Sequence, residues 1–294
     1  MGSGEMPIPT AEQKEKAQAF RALHSRPETL VLVNVWDVAS ARIVEEVGFP
    51  AVATTSAGVA FSNGFPDGQK IHPDQMMVAI AQIAQAVKVP VTADAEAGYG
   101  DSPEKAAETA RNVVMAGAVG MNFEDATGHA EQPLVDPSLQ LEKIHAIRES
   151  AAQLGVPLVL NARTDVYLLQ VGDPAKRYDE AVRRLGAYRD AGADCVFVPG
   201  VRDIPTIGRL VSDLGCPVNI LAGPGSPSIA ELTSVGVKRI SLGSGPMRAT
   251  LGLLRRLAQE VSAQGTYTTM EHGPTHAEMN ELMRSSCPRS KPRS

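Results

Sequence analysis

Residues 89–125 read VPVTADAEAGYGDSPEKAAETARNVVMAGAVGMNFED, and their pattern decides the fold. A short apolar run, VPVTADAE, ends in acids and passes into a glycine turn. A helical stretch, PEKAAETARNVVMAGA, follows and stops at Gly117, and a second apolar run, VGMNFED, again ends in acids. Near-continuous Val, Ile, Leu and Ala is expected of parallel strands buried on both faces. A glycine at the helix end adopts the left-handed conformation at little steric cost. Outward from this stretch the unit recurs. LVLVNVWD (30–37), AVATTS (51–56), LVLNARTD (158–165), DCVFVPG (194–200), VNILAG (218–223) and RISLGS (239–244) are further strands, and Gly48, Gly155, Gly192, Gly215 and Gly236 end helices. Eight such alternations predict an α/β fold, a (β/α)8 TIM-type barrel. An open doubly wound sheet is the alternative, but no Gly-x-Gly-x-x-Gly follows the first strand.

The 294 residues are 43% apolar and 21% charged, the balance of a globular protein and not of a disordered, collagenous or disulfide-built one. No linker divides them. They read as a single barrel domain over 6–294, with 275–294 as a C-terminal helix (near His276 to Met283) and a frayed tail. Residues 1–5, MGSGE, read as an expression scar. Lys and Arg number 28 against 33 Asp and Glu, a net charge of −5 that argues against a nucleic-acid groove. No apolar run approaches the ~18 residues of a membrane span. Glu12, Lys14, Glu15 and Lys16 interrupt any leader, and Cys195, Cys216 and Cys287 form no CxxC. These features predict a cytoplasmic protein with reduced thiols and neither a membrane nor a nucleic-acid partner.

In such a barrel the chemistry sits at the C-terminal ends of the strands. One strand ends Asp94-Ala95-Glu96, and residues i and i+2 of a strand point to the same side. The next ends Glu124-Asp125, the one after carries Arg163 and Asp165, and the loop after the second strand holds Asp67. Oxygen-rich acidic clusters without His or Cys suit a hard cation such as Mg²⁺. Asp37 also ends a strand but stands where an N-cap is expected. Arg163 either neutralises Asp165 or Glu124, or grips a substrate carboxylate through paired hydrogen bonds. Lys88 and Lys238 precede strands, Lys143 lies in a helix and Lys70 on a loop, so a Schiff-base aldolase is disfavoured. Gly223-Pro224-Gly225-Ser226 and Gly243-Ser244-Gly245 either cradle a phosphate or supply tight turns.

Three segments together, GFPAVATTSAGVAFSNGFPDG (48–68), PVTADAEAGYGDSPEKAAETARNVVMAGAVGMNFED (90–125) and NARTD (161–165), resemble the phosphoenolpyruvate mutase/isocitrate lyase superfamily. The similarity runs from Leu30 to the final helix and points to its 2-methylisocitrate lyase-like and phosphonomutase-like branch. DAEAGYG is the most specific part, answering to a family pattern Asp-x-Asp-x-Gly-Tyr/Phe-Gly. The resemblance implies a (β/α)8 barrel that makes or breaks C–C or P–C bonds beside a 2-oxo acid through a Mg²⁺-bound enolate, with Mn²⁺ as a substitute metal. It implies that Asp94 is the direct metal ligand and that Glu96, Glu124 and Asp67 hold the metal's waters. By the same resemblance Thr55, Ser56 and Ala57 receive the carboxylate of the 2-oxo acid, and Arg163 binds the enolate or carboxylate. Two departures stand out: Glu96 replaces an Asp, and ATGHAEQPLVD (126–136) lacks the cysteine that is the lyases' proton donor.

The expected function is a Mg²⁺-dependent lyase that cleaves a C–C bond of a 2-hydroxy carboxylate by retro-aldol chemistry, via a 2-oxo acid enolate. A hydrolase or phosphonomutase on an oxaloacetate-like or phosphonopyruvate-like substrate is the alternative, and a non-catalytic metabolite-binding barrel the rival of another class. Arg163, Glu124 and His129 are the expected catalytic residues. Residues 126–136 are expected to gate the site, with His129 favoured over Glu131 as proton carrier. Met279, Leu282 and Met283 form a short apolar face expected to pack on a neighbouring subunit, giving a homotetramer, a dimer of dimers.

Overall fold

The computed structural model describes residues 9–284. The expectations for residues 1–5, for Cys287 and for the tail after Arg284 lie outside the described residues. Nine strand segments form one all-parallel sheet: β1 (Leu30–Leu32), β2 (Asn34–Val35), β3 (Val52–Thr54), β4 (Val91–Asp94), β5 (Gly120–Glu124), β6 (Val159–Arg163), β7 (Cys195–Phe197), β8 (Val218–Leu221) and β9 (Arg239–Ser241). Their order is β1-β9-β8-β7-β6-β5-β4-β3-β2. Because β1 and β2 are halves of one run parted by Val33, pairing the first with β9 and the second with β3 closes the ring. The barrel is therefore the eight-stranded one expected.

Helices alternate with the strands and cover the outside: α1 (Ala11–Leu23), α2 (Val38–Glu46), α3 (Ser56–Ser62), α4 (Pro73–Ala86), α5 (Pro103–Met115), α6 (Pro137–Gln153), α7 (Arg177–Asp190), α8 (Ile204–Leu214), α9 (Ile229–Ser234), α10 (Gly245–Gln264) and α11 (His276–Arg284). Local chemistry starts them. Ser102 accepts from the Lys105 N–H with Pro103 in the first turn, and Asp136 does the same for Ser138 ahead of α6. Asp37 caps α2 in a capping box with Ser40, the N-cap role expected of it. All six glycines expected to end helices have positive φ, Gly117 at +95° among them. None of the helices in the described residues is long and apolar enough to cross a membrane.

α1 closes the N-terminal end of the barrel. Its Phe20 is fully buried against the start of β5, where a Cβ at Gly120 would lie 2.7 Å from the Phe20 ring. At the other end of the chain the sequence expectation needs correcting. α11 does find a place on its own barrel: it packs on α2, where the Arg42 guanidinium donates to the carbonyls of Leu282 (3.2 Å) and Met283. The helix that lacks cover is α10, in which only Met247 and Glu260 are buried. Leu251, Leu253, Leu254 and Val261 are all exposed, Leu254 at 57%.

The Phe20 packing makes a direct prediction. Phe20→Ala should cost ~3–5 kcal/mol in urea unfolding, the usual penalty for emptying a buried aromatic site. A cost under about 1 kcal/mol would mean that the barrel floor closes without α1.

Candidate active site

Asp94 is the last residue of β4, and its side chain is held at both oxygens. Oδ2 accepts from the Ser56 N–H (3.0 Å) and the Ser56 Oγ (2.8 Å), while Oδ1 accepts from Asn122 Nδ2 at 3.4 Å. Its own N–H donates to Thr54 Oγ1 (2.9 Å). Ser56 opens α3 and Thr55 caps it, accepting from the Gly58 N–H. Thr55, Ser56 and Ala57 are all buried at the start of α3, with Ser56 in contact with Asp94. The two Ser56 donors, however, are engaged by Asp94 itself.

Past Asp94 the backbone doubles back. Glu96 and Tyr99 have positive φ (+48° and +54°), and so does Gln69 (+59°) on the loop that carries Asp67. A non-glycine residue in this region costs of order 1–3 kcal/mol and persists only where other contacts hold it. Here the three hold one another. The Gln69 N–H donates to Glu96 Oε2, the Tyr99 N–H to Gln69 Oε1 and the Tyr99 hydroxyl to Glu96 Oε1 (3.2 Å). Glu96 is buried at 3% exposure. Burial, with Asp94 and Asp67 as like-charged neighbours, pushes its carboxyl up to about 7. Asp67 is exposed on the rim, yet its carboxyl is raised by dehydration and by Asp94.

Across the mouth, Arg163 at the end of β6 is clamped by two acids. NH1 meets Glu124 Oε2 at 2.6 Å, while Nε and NH2 meet Asp165 Oδ1 and Oδ2 at 2.6 and 2.9 Å. The guanidinium also stands over the Phe197 ring, 5.6 Å from its centre. Of the two readings left open by the sequence the first holds: Arg163 neutralises Glu124 and Asp165, which take three of its five N–H groups. Burial opposes its charge, but Glu124 and Asp165 outweigh burial and hold it protonated more firmly than usual. Burial drives the Glu124 carboxyl well above the carboxylate range, against the pull of Arg163.

Other expected residues lie elsewhere. Asp125 turns behind the barrel wall and is fully buried, accepting from Thr164 Oγ1, the Asp165 N–H, Arg184 NH1 and the Tyr188 hydroxyl. The segment 126–136 is a hairpin with an anchored stem. Ala126 pairs with Leu134, the Thr127 N–H reaches Pro133 O, and Arg184 also holds Val135 O (3.0 Å). His129 and Glu131 stand on its exposed tip. In the glycine-rich loops Gly225 and Gly243 have positive φ (+81° and +54°), as tight turns use, and the Gly223 N–H donates to Ser226 Oγ within its own turn. Cys195 and Cys216 are free thiols.

The donor set is one of hard oxygens and fits a hard cation. Among the described residues no three His, Cys, Asp or Glu side chains close round one point. An ion here would rest directly on Asp94 and through water on Glu96, Glu124 and Asp67, the manner in which Mg²⁺, reluctant to shed water, is usually bound. Gln69, Tyr99 and Asn122 were missed by sequence reasoning. Tyr99 had a signal in its glycine-flanked motif; Gln69 and Asn122 had none.

Residues 20–262 match the phosphoenolpyruvate phosphomutase family model. A solved Burkholderia cenocepacia J2315 protein, provisionally described as a lyase/mutase, is 41% identical with a TM-score of 0.88, over 95% of this chain and 98% of that one. An oxaloacetate decarboxylase of Chromohalobacter salexigens is 30% identical over 78% of this chain and 79% of its own. Oxaloacetate acetylhydrolase, solved with its product oxalate, is 26% identical with a TM-score of 0.82, covering 94% and 95%.

The raised Glu96 carboxyl makes stability depend on pH in the absence of metal. The folded state holds the proton up to about 7 and the unfolded chain only to 4.5, so stability falls as pH rises between those values. Glu96→Gln should remove that fall, gaining about 2 kcal/mol at pH 8 and little at pH 4 in urea melts with EDTA. Identical pH–stability curves for the two proteins would rule out a Glu96 carboxyl raised by burial and by its acidic neighbours.

Proposed function

The chain belongs to the phosphoenolpyruvate phosphomutase family, and from that premise we propose a Mg²⁺-dependent carbon–carbon lyase that cleaves a small 2-hydroxy carboxylate and releases a 2-oxo acid. The observation that carries the reading is the Arg163 clamp. A guanidinium fixed by Glu124 and Asp165 keeps two N–H groups for an anion at the barrel mouth that holds Asp94. A bound divalent ion would supply a Lewis acid for the oxygens of that anion.

The rest falls to the chain's own side chains. Glu124, buried and a stronger base than a free carboxylate, takes the proton of the substrate hydroxyl. As the C2–C3 bond breaks, the C2 oxygen becomes the carbonyl of the departing 2-oxo acid, and the bonding pair stays on the other fragment. Arg163 faces the charge that develops. The start of α3, with Thr55, Ser56 and Ala57, takes the substrate carboxylate once Ser56 gives up Asp94. His129 returns a proton to the carbanion when the hairpin tip folds over the mouth and excludes water.

A second reading is supported by the 30% identical oxaloacetate decarboxylase. With an oxaloacetate-like substrate the C3–C4 bond would break, CO₂ would leave and the electron pair would pass to the C2 oxygen as an enolate. A non-catalytic barrel is disfavoured, since the acidic strand ends are intact. The free thiols agree with a cytoplasmic enzyme. The uncovered apolar side of α10 supports a homo-oligomer, a dimer of dimers.

A screen of 2-hydroxy and 2-oxo di- and tricarboxylates with Mg²⁺ tests the proposal. Turnover should vanish with EDTA, return with Mg²⁺ or Mn²⁺, and fall by on the order of 10³ or more in Asp94→Ala with the thermal melt retained. Turnover indifferent to EDTA would end the metal mechanism.

A further inference from the structure

Beneath the mouth, the barrel interior is polar. Thr92, Asn122, Asn161, Asn219 and Arg239 are all buried, on five different strands. Arg239 is fully buried, and among the described residues no carboxylate pairs with it. Its NH1 lies 3.4 Å from His24 Nε2, its NH2 donates to Asn122 Oδ1 at 3.2 Å, and its Nε is without a partner. The Phe20 ring lies 5.8 Å from the guanidinium carbon. Burying a cation without an ion pair is costly, and an apolar side chain of the same volume packs such a space at less expense. A residue retained at that cost at the base of a site invites a functional explanation.

The hydrogen bonds supply one, because they run in a single sense. The His24 Nδ1 faces Phe20 O at 2.9 Å and so carries the ring proton, leaving Nε2 as an acceptor towards Arg239. Burial and the guanidinium together push His24 down to about 4, which keeps the ring neutral. Arg239 then donates to Asn122 Oδ1, and Asn122 Nδ2 donates to Asp94 Oδ1. An asparagine amide can sit either way round; a guanidinium can only donate. Asn161 Nδ2 also donates to Asn122 Oδ1 (2.8 Å), but Asn161 is itself an amide whose Oδ1 has no partner, so it cannot set the direction. Arg239 can.

We propose that Arg239 is a positioning residue for Asp94, acting through Asn122: it fixes the amide so that an N–H, never a carbonyl oxygen, meets the Asp94 carboxylate. Ser56 gives two hydrogen bonds to Oδ2 and Asn122 one to Oδ1, so both carboxylate oxygens are held from the protein side and Oδ1 is the one that keeps a lone-pair site for a cation. The inference rests on the cation reading of the site, and it makes a prediction of unusual sign. Simple electrostatics says that removing a buried positive charge near a cation site tightens binding, and a packing role says that binding is unchanged. A positioning role says that binding weakens.

The test is Mn²⁺ binding, followed by loss of the free-ion EPR signal, in the wild-type chain, Arg239→Met, Arg239→Lys, Asn122→Ala and the double variant Arg239→Met/Asn122→Ala. Both Arg239→Met and Asn122→Ala should weaken Mn²⁺ binding about tenfold, the double variant no more than either single, and Arg239→Lys should recover part of the loss. Urea midpoints of the same set, taken without metal, should be equally non-additive. Unchanged or tighter Mn²⁺ binding in Arg239→Met, or additive losses in the double variant, would overturn the proposal. Should Arg239→Met fail to fold, Arg239→Lys and Asn122→Ala decide it alone: no weakening in Asn122→Ala overturns it. A wild-type chain that binds no Mn²⁺ overturns the cation reading itself; the urea cycle then judges the network, and additive midpoints reject it.

Discussion

The constraint on which this molecule turns is an excess of buried negative charge at the barrel mouth. Asp94, Glu96, Glu124 and Asp165 converge there, and Arg163 is the one cation that the described residues set in contact with any of them. Two of the four acids share that guanidinium. The other two, Asp94 and Glu96, are met only by neutral donors: a serine, an asparagine, a tyrosine and a backbone N–H. Such an arrangement is poorly satisfied by the protein alone, and the raised Glu96 carboxyl is its direct expression. A divalent cation would relieve it, so the charge imbalance and the proposed chemistry are two views of one fact.

The fold makes that concentration tolerable by spreading its anchors over separate elements. Asp94, Glu124 and Arg163 end adjacent strands β4, β5 and β6; the sheet register pairs Glu124 with Arg163 and Asp94 with Asn122. The left-handed turns at Gln69, Glu96 and Tyr99 are held by hydrogen bonds to one another, so backbone strain and site geometry are coupled. From below, Arg239 and Asn122 carry the restraint to the barrel floor, where α1 seals it. On the far side, Arg184 binds Asp125 and Val135 and fixes the stem of the hairpin, leaving its tip at 128–132 exposed.

Much of this was legible in the residues. Strand runs and helix-ending glycines specify the barrel because buried parallel strands demand continuous apolar sequence and helix ends demand positive φ. Acids at strand ends are legible because the fold assigns one end of every strand to chemistry. What was not legible is the pairing. Nothing in the sequence says that Asp125 faces outward to Arg184 while its neighbour Glu124 faces inward, beyond the alternation of a strand whose exact end is hidden. The partners of Asp94 and Glu96 come from residues 28 and 27 positions away, a separation that local pattern does not reach. The contact of α11 with α2 was out of reach for the same reason: Arg42, which holds the Leu282 carbonyl, lies 240 residues earlier in the chain.

The central claim is that the mouth is built for a flat, chelating dianion held between a cation and Arg163. Oxalate has that shape and cannot react further, so it serves as an analogue of the 2-oxo acid portion. Calorimetry of oxalate binding, with and without Mg²⁺, asks the question directly. The account predicts binding that requires Mg²⁺ and that weakens sharply in Arg163→Ala, by roughly 2–5 kcal/mol as for the loss of a buried charged partner. Binding that ignores Mg²⁺, or none at millimolar oxalate, would contradict it.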